Sequence, residues 1–112
     1  MLSHILWSPT AGATVTVTPT PTEFFEIVAS ASGTTGGSIV VVASGGTAPY
    51  TYLWTESLSN FTINGATTDT VDFNYSGLNL FGDSITGIIT CTVTDFYGNS
   101  GYVIIGIEIV RG

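Results

Sequence analysis

Apolar and polar residues alternate with a period of two over much of the chain, the pattern of strands with one buried face. Ile85 to Asp95 shows it most clearly. Ile85, Ile89, Cys91 and Val93 fall on one face, and Thr86, Thr90, Thr92 and Thr94 fall on the other with Ile88. Tyr102 to Val110 places Val103, Ile105, Ile107 and Ile109 on one side and Tyr102, Ile104, Gly106, Glu108 and Val110 on the other, so both sides are unusually apolar. Thr14 to Thr18 puts Val15 and Val17 on one face. Tyr50 to Glu56 sets Tyr50, Tyr52 and Trp54 against Thr51, Leu53 and Thr55. Ser38 to Ser44 is instead a nearly continuous apolar run, which predicts a central strand covered on both sides or one whose outer face meets a partner. Phe24 to Ala31, Asn60 to Asn64 and Thr70 to Tyr75 supply the remaining strands.

Breakers separate these segments at short, even intervals: Pro9 to Gly12, Pro19 to Pro21, Gly33 to Gly37, Gly45 to Pro49, Asn64 to Gly65, Gly77 to Asp83 and Gly98 to Gly101. Strands cut this way build an all-β sandwich or barrel and not βαβ units. Proline donates nothing to a ladder, so the segment interrupted by Pro19 and Pro21 belongs at a sheet edge. Between the last two strands, Asp95 to Gly101 provides the glycines and asparagine that a hairpin with positive φ requires. The expectation is one domain, an antiparallel all-β sandwich or barrel of seven to eight strands over residues 13–112, preceded by an arm over residues 1–12.

Composition agrees. Val, Ile and Thr make up 40 of 112 residues, whereas Ala, Leu, Met, Glu, Lys and Arg together reach 19 with no glutamine, a β-sheet composition that excludes a helical bundle. Eight carboxylates face a single basic side chain, Arg111, which removes phosphate-backbone binding and therefore nucleic acid from the list of partners. Charged residues are only 8% of the chain, against about 25% in ordinary soluble domains. The surface is therefore built from Thr, Ser, Gly and Asn, which suits a protein packed against neighbours. No apolar run is long enough to cross a membrane as a helix.

The string Gly45-Gly46-Thr47-Ala48-Pro49-Tyr50-Thr51-Tyr52-Leu53-Trp54 resembles the strand B to strand C passage of immunoglobulin-like domains of the PKD type, where an Ala-x-Gly-Gly-x-x-Pro-Tyr-x-Tyr-x-Trp string leads to a buried tryptophan. Ile89 to Asp95 with Gly98 and Asn99 resembles strand F and its hairpin in the same family. The resemblance covers roughly residues 37–110. It implies an immunoglobulin-like sandwich with Trp54 as the core pin, and with Ile39, Val41 and Ala43 directed toward Ile89, Cys91 and Val93. Two features depart from the pattern: Thr55-Glu56-Ser57 stands where a Gly-Asp-Gly signature often follows the tryptophan, and Cys91 has no second cysteine to pair with.

Little in the chain suits catalysis. His4 is the sole histidine, Cys91 sits among apolar alternating positions, and no nucleophile elbow, zinc motif or phosphate loop occurs. The expectation is a protein that is not an enzyme and takes no cofactor. The acids Asp69, Asp72, Asp83 and Asp95, with Asn99, lack the spacing of a calcium loop and read as turn residues. Phe96, Tyr97 and Tyr102, at or beside the hairpin tip, are the candidate glycan contacts, against the simpler expectation that one of Phe96 and Tyr97 caps the core. Leu2, Ile5, Leu6 and Trp7 in the arm, with Ile104 and Val110 on the reverse of the last strand, are candidate partner-docking residues.

With Met1 taken as the start and no signal peptide visible, the resemblance implies a virion structural protein of a tailed bacteriophage, an immunoglobulin-like capsid decoration or tail-associated protein. It would be assembled in the host cytoplasm and contact other virion proteins or copies of itself. The alternative is a carbohydrate-binding or adhesion module of a bacterial cell-surface protein.

Overall fold

The computed structural model describes residues 13–112. The arm residues Leu2, Ile5, Leu6 and Trp7, and His4, lie outside the described residues. Nine strands follow one another: β1 (Thr16–Thr20), β2 (Glu23–Val28), β3 (Gly33–Thr34), β4 (Ile39–Ser44), β5 (Thr51–Glu56), β6 (Phe61–Asn64), β7 (Thr70–Tyr75), β8 (Ser84–Thr94) and β9 (Ser100–Arg111). They form two sheets. One has the order β1-β4-β7-β3 with β6 also paired to β7, and the other has the order β2-β9-β8-β5. Residues of alternating parity from both sheets meet in one core, with Ile39, Phe73, Ile89, Cys91, Val93, Ile105 and Ile109 shielded from solvent. The architecture is an immunoglobulin-like β-sandwich.

The proline break works as a crossing point. β1 pairs antiparallel with β4 at one edge of the first sheet, the chain passes Thr20-Pro21-Thr22, and β2 then pairs with β9 at the edge of the second. Because the chain keeps its direction while changing sheets, β2 runs parallel to β9. This is the one parallel pair in an otherwise antiparallel set among the described residues. The edge position was expected from the missing proline donors; the parallel pairing was not.

A second difference lies in the Gly33–Gly37 segment, read above only as a breaker. It contains β3, and it stays tied to β7 through Thr35, whose N–H donates to the Phe73 carbonyl (2.8 Å) while its Oγ1 accepts from the Phe73 N–H (3.2 Å). Gly36 and Gly37 then loop away, and their N–H groups both donate to the Glu26 carboxylate at 2.8 Å. The Thr35 hydroxyl thus satisfies a buried backbone N–H that would otherwise be costly, and the Glu26 carboxylate ties down the loop's more exposed N–H groups.

β4 is central but not covered twice. Ile39 and Val41 face the core, whereas Val40 and Val42 are 38% and 63% exposed. Of the two readings of its continuous apolar run, coverage on both sides finds no covering element among the described residues.

Candidate functional site

The core pin is built on β5 and β8. Trp54 stands opposite Cys91 in the β5–β8 register, two residues along from the Tyr52–Val93 pair. Its backbone N–H donates to the Ala66 carbonyl and its indole Nε1 to the Thr68 carbonyl, both at 2.8 Å. The ring thus anchors the 65–69 connection as well as filling the core, its one polar atom satisfied as a buried indole requires. Val41, Ile89, Cys91 and Val93 are all buried around the same core. Burial pushes the Cys91 thiol up to about 11, so near neutral pH it is a protonated, enclosed group without nucleophilic character.

At the end of the sandwich where β8 turns into β9, Asp95 organises two loops at once. It is buried, and both carboxylate oxygens are used. Oδ1 accepts from the N–H groups of Tyr97 (2.9 Å) and Asn99 (2.8 Å), and Oδ2 accepts from the Thr47 N–H (2.9 Å) and from Asn99 Nδ2 (3.1 Å). The Phe96 N–H donates in turn to the Thr47 carbonyl at 2.8 Å. Burial by itself would raise the Asp95 carboxyl. The opposing hydrogen bonds from Asn99, Thr47 and Tyr97 outweigh it and hold the group below its ordinary value. Gly46, at φ 62°, is required here, since a Cβ would come within 2.5 Å of Asp95 Oδ2.

This clamp presents Phe96 and Tyr97 side by side. Their rings meet edge to face with centroids 4.9 Å apart, and they are 62% and 49% exposed. The expectation that one of them caps the core is corrected: Asp95 itself fills the space beneath the turn, so both rings project. Tyr102, grouped with them on sequence, lies on the outer face of the β2-β9-β8-β5 sheet, level with Thr92 of β8 and Leu53 of β5. The structure joins Phe96 to Tyr97 and leaves Tyr102 as part of a different surface.

That surface carries Ile104, which is exposed, and Val110, which is half-buried. It also carries Phe25, Ile27, Leu53 and Ile88, all more than half exposed, which sequence reasoning did not single out as docking positions. The signal was present in Glu23-Phe24-Phe25-Glu26-Ile27-Val28, where both parities are apolar. A further exposed pair, Leu80 and Phe81, lies at the opposite end of the sandwich, with the Arg111 guanidinium 5.2 Å from the Phe81 ring centre.

The turn acids have local partners. Asp72 accepts from Asn64 Nδ2 (2.8 Å), Asp83 from the Leu80 N–H (2.9 Å), and Asp69 from the Thr70 hydroxyl (3.0 Å). Among the described residues no three His, Cys, Asp or Glu side chains gather closely enough to hold a metal ion.

Residues 32–58 match the family described as the SprB repeat. The matched segment runs from β3 through β5 and contains the Gly45 to Trp54 string with its buried tryptophan. No curated protein and no solved structure matches the chain.

Proposed function

We propose that this chain is a non-enzymatic adhesion module of a bacterial cell-surface protein, and that it touches carbohydrate through the Phe96–Tyr97 tip. The observation that carries the first half is the match of residues 32–58 to the SprB repeat, a repeat of bacterial surface proteins. The match favours this reading over a phage virion protein, for which neither capsid nor tail finds support. The module works outside the cell on this reading, and a surface poor in charge and rich in threonine suits that setting.

The second half rests on the hairpin geometry. Sugar rings offer C–H faces that pack on exposed aromatic rings, while their hydroxyls need polar groups at the margin. Phe96 and Tyr97 offer the rings, and the half-exposed Tyr97 carries a hydroxyl beside them. The Asp95 clamp fixes both backbones before any ligand arrives, so little ordering cost falls on binding. A glycan microarray probed with the parent chain and with a Phe96→Ala/Tyr97→Ala double variant tests this. Retention of the parent and loss of the variant is the expected result. Equal retention of the two, or retention of neither, overturns the assignment of the tip.

A further inference from the structure

Of the large apolar side chains left exposed among the described residues, six lie on a single surface, the outer face of the β2-β9-β8-β5 sheet: Phe25, Ile27, Leu53, Ile88, Tyr102 and Ile104. The register orders them in rows across the strands. Leu53, Thr92 and Tyr102 share one row, Thr55, Thr90 and Ile104 the next, then Ile88 and Gly106 with Glu23, and then Thr86 and Glu108 with Phe25. From strand spacing and rise the face measures roughly 19 by 30 Å, about 570 Å² in projection, which is at the upper end of the patches that monomers carry and approaches the ~800 Å² that each partner contributes to a standard interface.

The centre of this face has a particular shape. Ile104 stands out from β9, and two residues further on the same face of the same strand Gly106 has no side chain, leaving a groove of about 360 Å³ whose lining includes Glu23, Phe25, Thr86 and Glu108. A knob and a notch about 7 Å apart on one strand are self-complementary. A two-fold axis lying in the face, crossing β9 between Ile104 and Gly106, sets each Ile104 into the other copy's Gly106 notch.

The same operation brings Tyr102 of one copy over Glu108 of the other, where a phenol hydroxyl can donate to a carboxylate. It also keeps the charges apart. Glu23 and Glu108 occupy one half of the face, while the half with Leu53, Tyr102 and the threonines has no charged group, so antiparallel packing places each charged half on an uncharged one. We propose that two copies of this chain pair face to face through the β2-β9-β8-β5 sheets, strands antiparallel, with Ile104 of each seated over Gly106 of the other. Sheets stacked this way lie about 10 Å apart, and an isologous contact of this kind closes at two.

Sedimentation equilibrium of the full chain over a concentration series tests the pairing. The parent approaches twice its 11.6 kDa mass as concentration rises, and added salt tightens the dimer by screening two chains of net charge −7. Gly106→Val is the decisive variant. A Cβ there meets nothing nearer than Glu23 Oε2 at 3.8 Å and the backbone is ordinary, so the chain folds while the notch is filled. The expected effect is a loss of at least about tenfold in dimer affinity, matched by Ile104→Glu, whereas Val42→Glu on the opposite sheet leaves the dimer intact. A parent that stays monomeric, a parent that dimerises only after residues 1–12 are removed, or a Gly106→Val chain that dimerises as the parent does, each overturns the proposal.

Discussion

The indole Nε1 of Trp54 donates a 2.8 Å hydrogen bond to the carbonyl of Thr68, joining the middle of β5 to the loop that feeds β7. One side chain therefore serves the core and a surface connection together. Trp54→Ala is expected to destabilise the fold by about 3–5 kcal/mol, the range for a large buried aromatic. Trp54→Phe retains most of the apolar volume but loses the hydrogen bond to the exposed Thr68 carbonyl, which costs about 0.5–1.5 kcal/mol. Urea denaturation of the three chains gives the order, and a Phe variant as stable as the parent removes the indole hydrogen bond from the account.

Asp95 makes stability depend on acid. An unfolded aspartate titrates near 3.9, and in the folded chain the group is held lower by its hydrogen bonds. The folded state therefore binds the proton less well than the unfolded state. The contribution is complete above the unfolded value and is lost as pH falls through it toward the lowered folded value. Melting temperatures measured from pH 6 downward should show this loss in the parent and a flatter profile in Asp95→Asn. The variant starts lower at pH 6, since an amide accepts through only one of its two side-chain heavy atoms.

Cys91 carries the opposite dependence. Its thiol, raised from 9.0 to about 11 by burial, stays protonated in the folded chain where an unfolded thiol ionises. Its contribution is intact below the ordinary thiol value and is lost as pH rises through the folded one. Stability should therefore fall on the alkaline side. A thiol reagent at pH 8 should leave the native protein unmodified and label it fully in denaturant. Rapid labelling of the native chain would place the thiol at the surface.

Much of this was legible in the residues. β8 and β9 follow from parity because each has one strictly apolar face, and Ile89, Cys91, Val93, Ile105 and Ile109 are buried as that parity requires. Gly45 to Trp54 pointed to the buried tryptophan and to the region matched by the SprB repeat. Other features are properties of assembly. The parallel β2–β9 pair depends on the chain changing sheets at Pro21 without turning back, and no local pattern records that. β3 escaped because two residues among glycines carry no periodicity, while Thr35, which continues the β3–β7 pairing through its N–H and hydroxyl, looks like any loop threonine. The joint exposure of Phe96 and Tyr97 depends on Asp95 filling the space beneath them, which requires knowing that Thr47 lies on the other side.

The surface assignment predicts how the aromatic tip behaves in isolation from the fold. Phe96→Ala/Tyr97→Ala removes rings that are exposed and pack mainly on each other, so its melting temperature should stay close to the parent's, with a change on the order of 0.5 kcal/mol as for other surface substitutions. A collapse of stability would show that the tip belongs to the core and not to a contact site.

Immunogold labelling of intact, unlysed cells that express the native gene tests the central claim most directly. With antibody raised against this chain, gold on the outer surface of intact cells is the predicted result, lost after external protease treatment. Gold absent from intact cells and found instead on phage particles released by lysis would contradict the surface assignment and restore the virion reading.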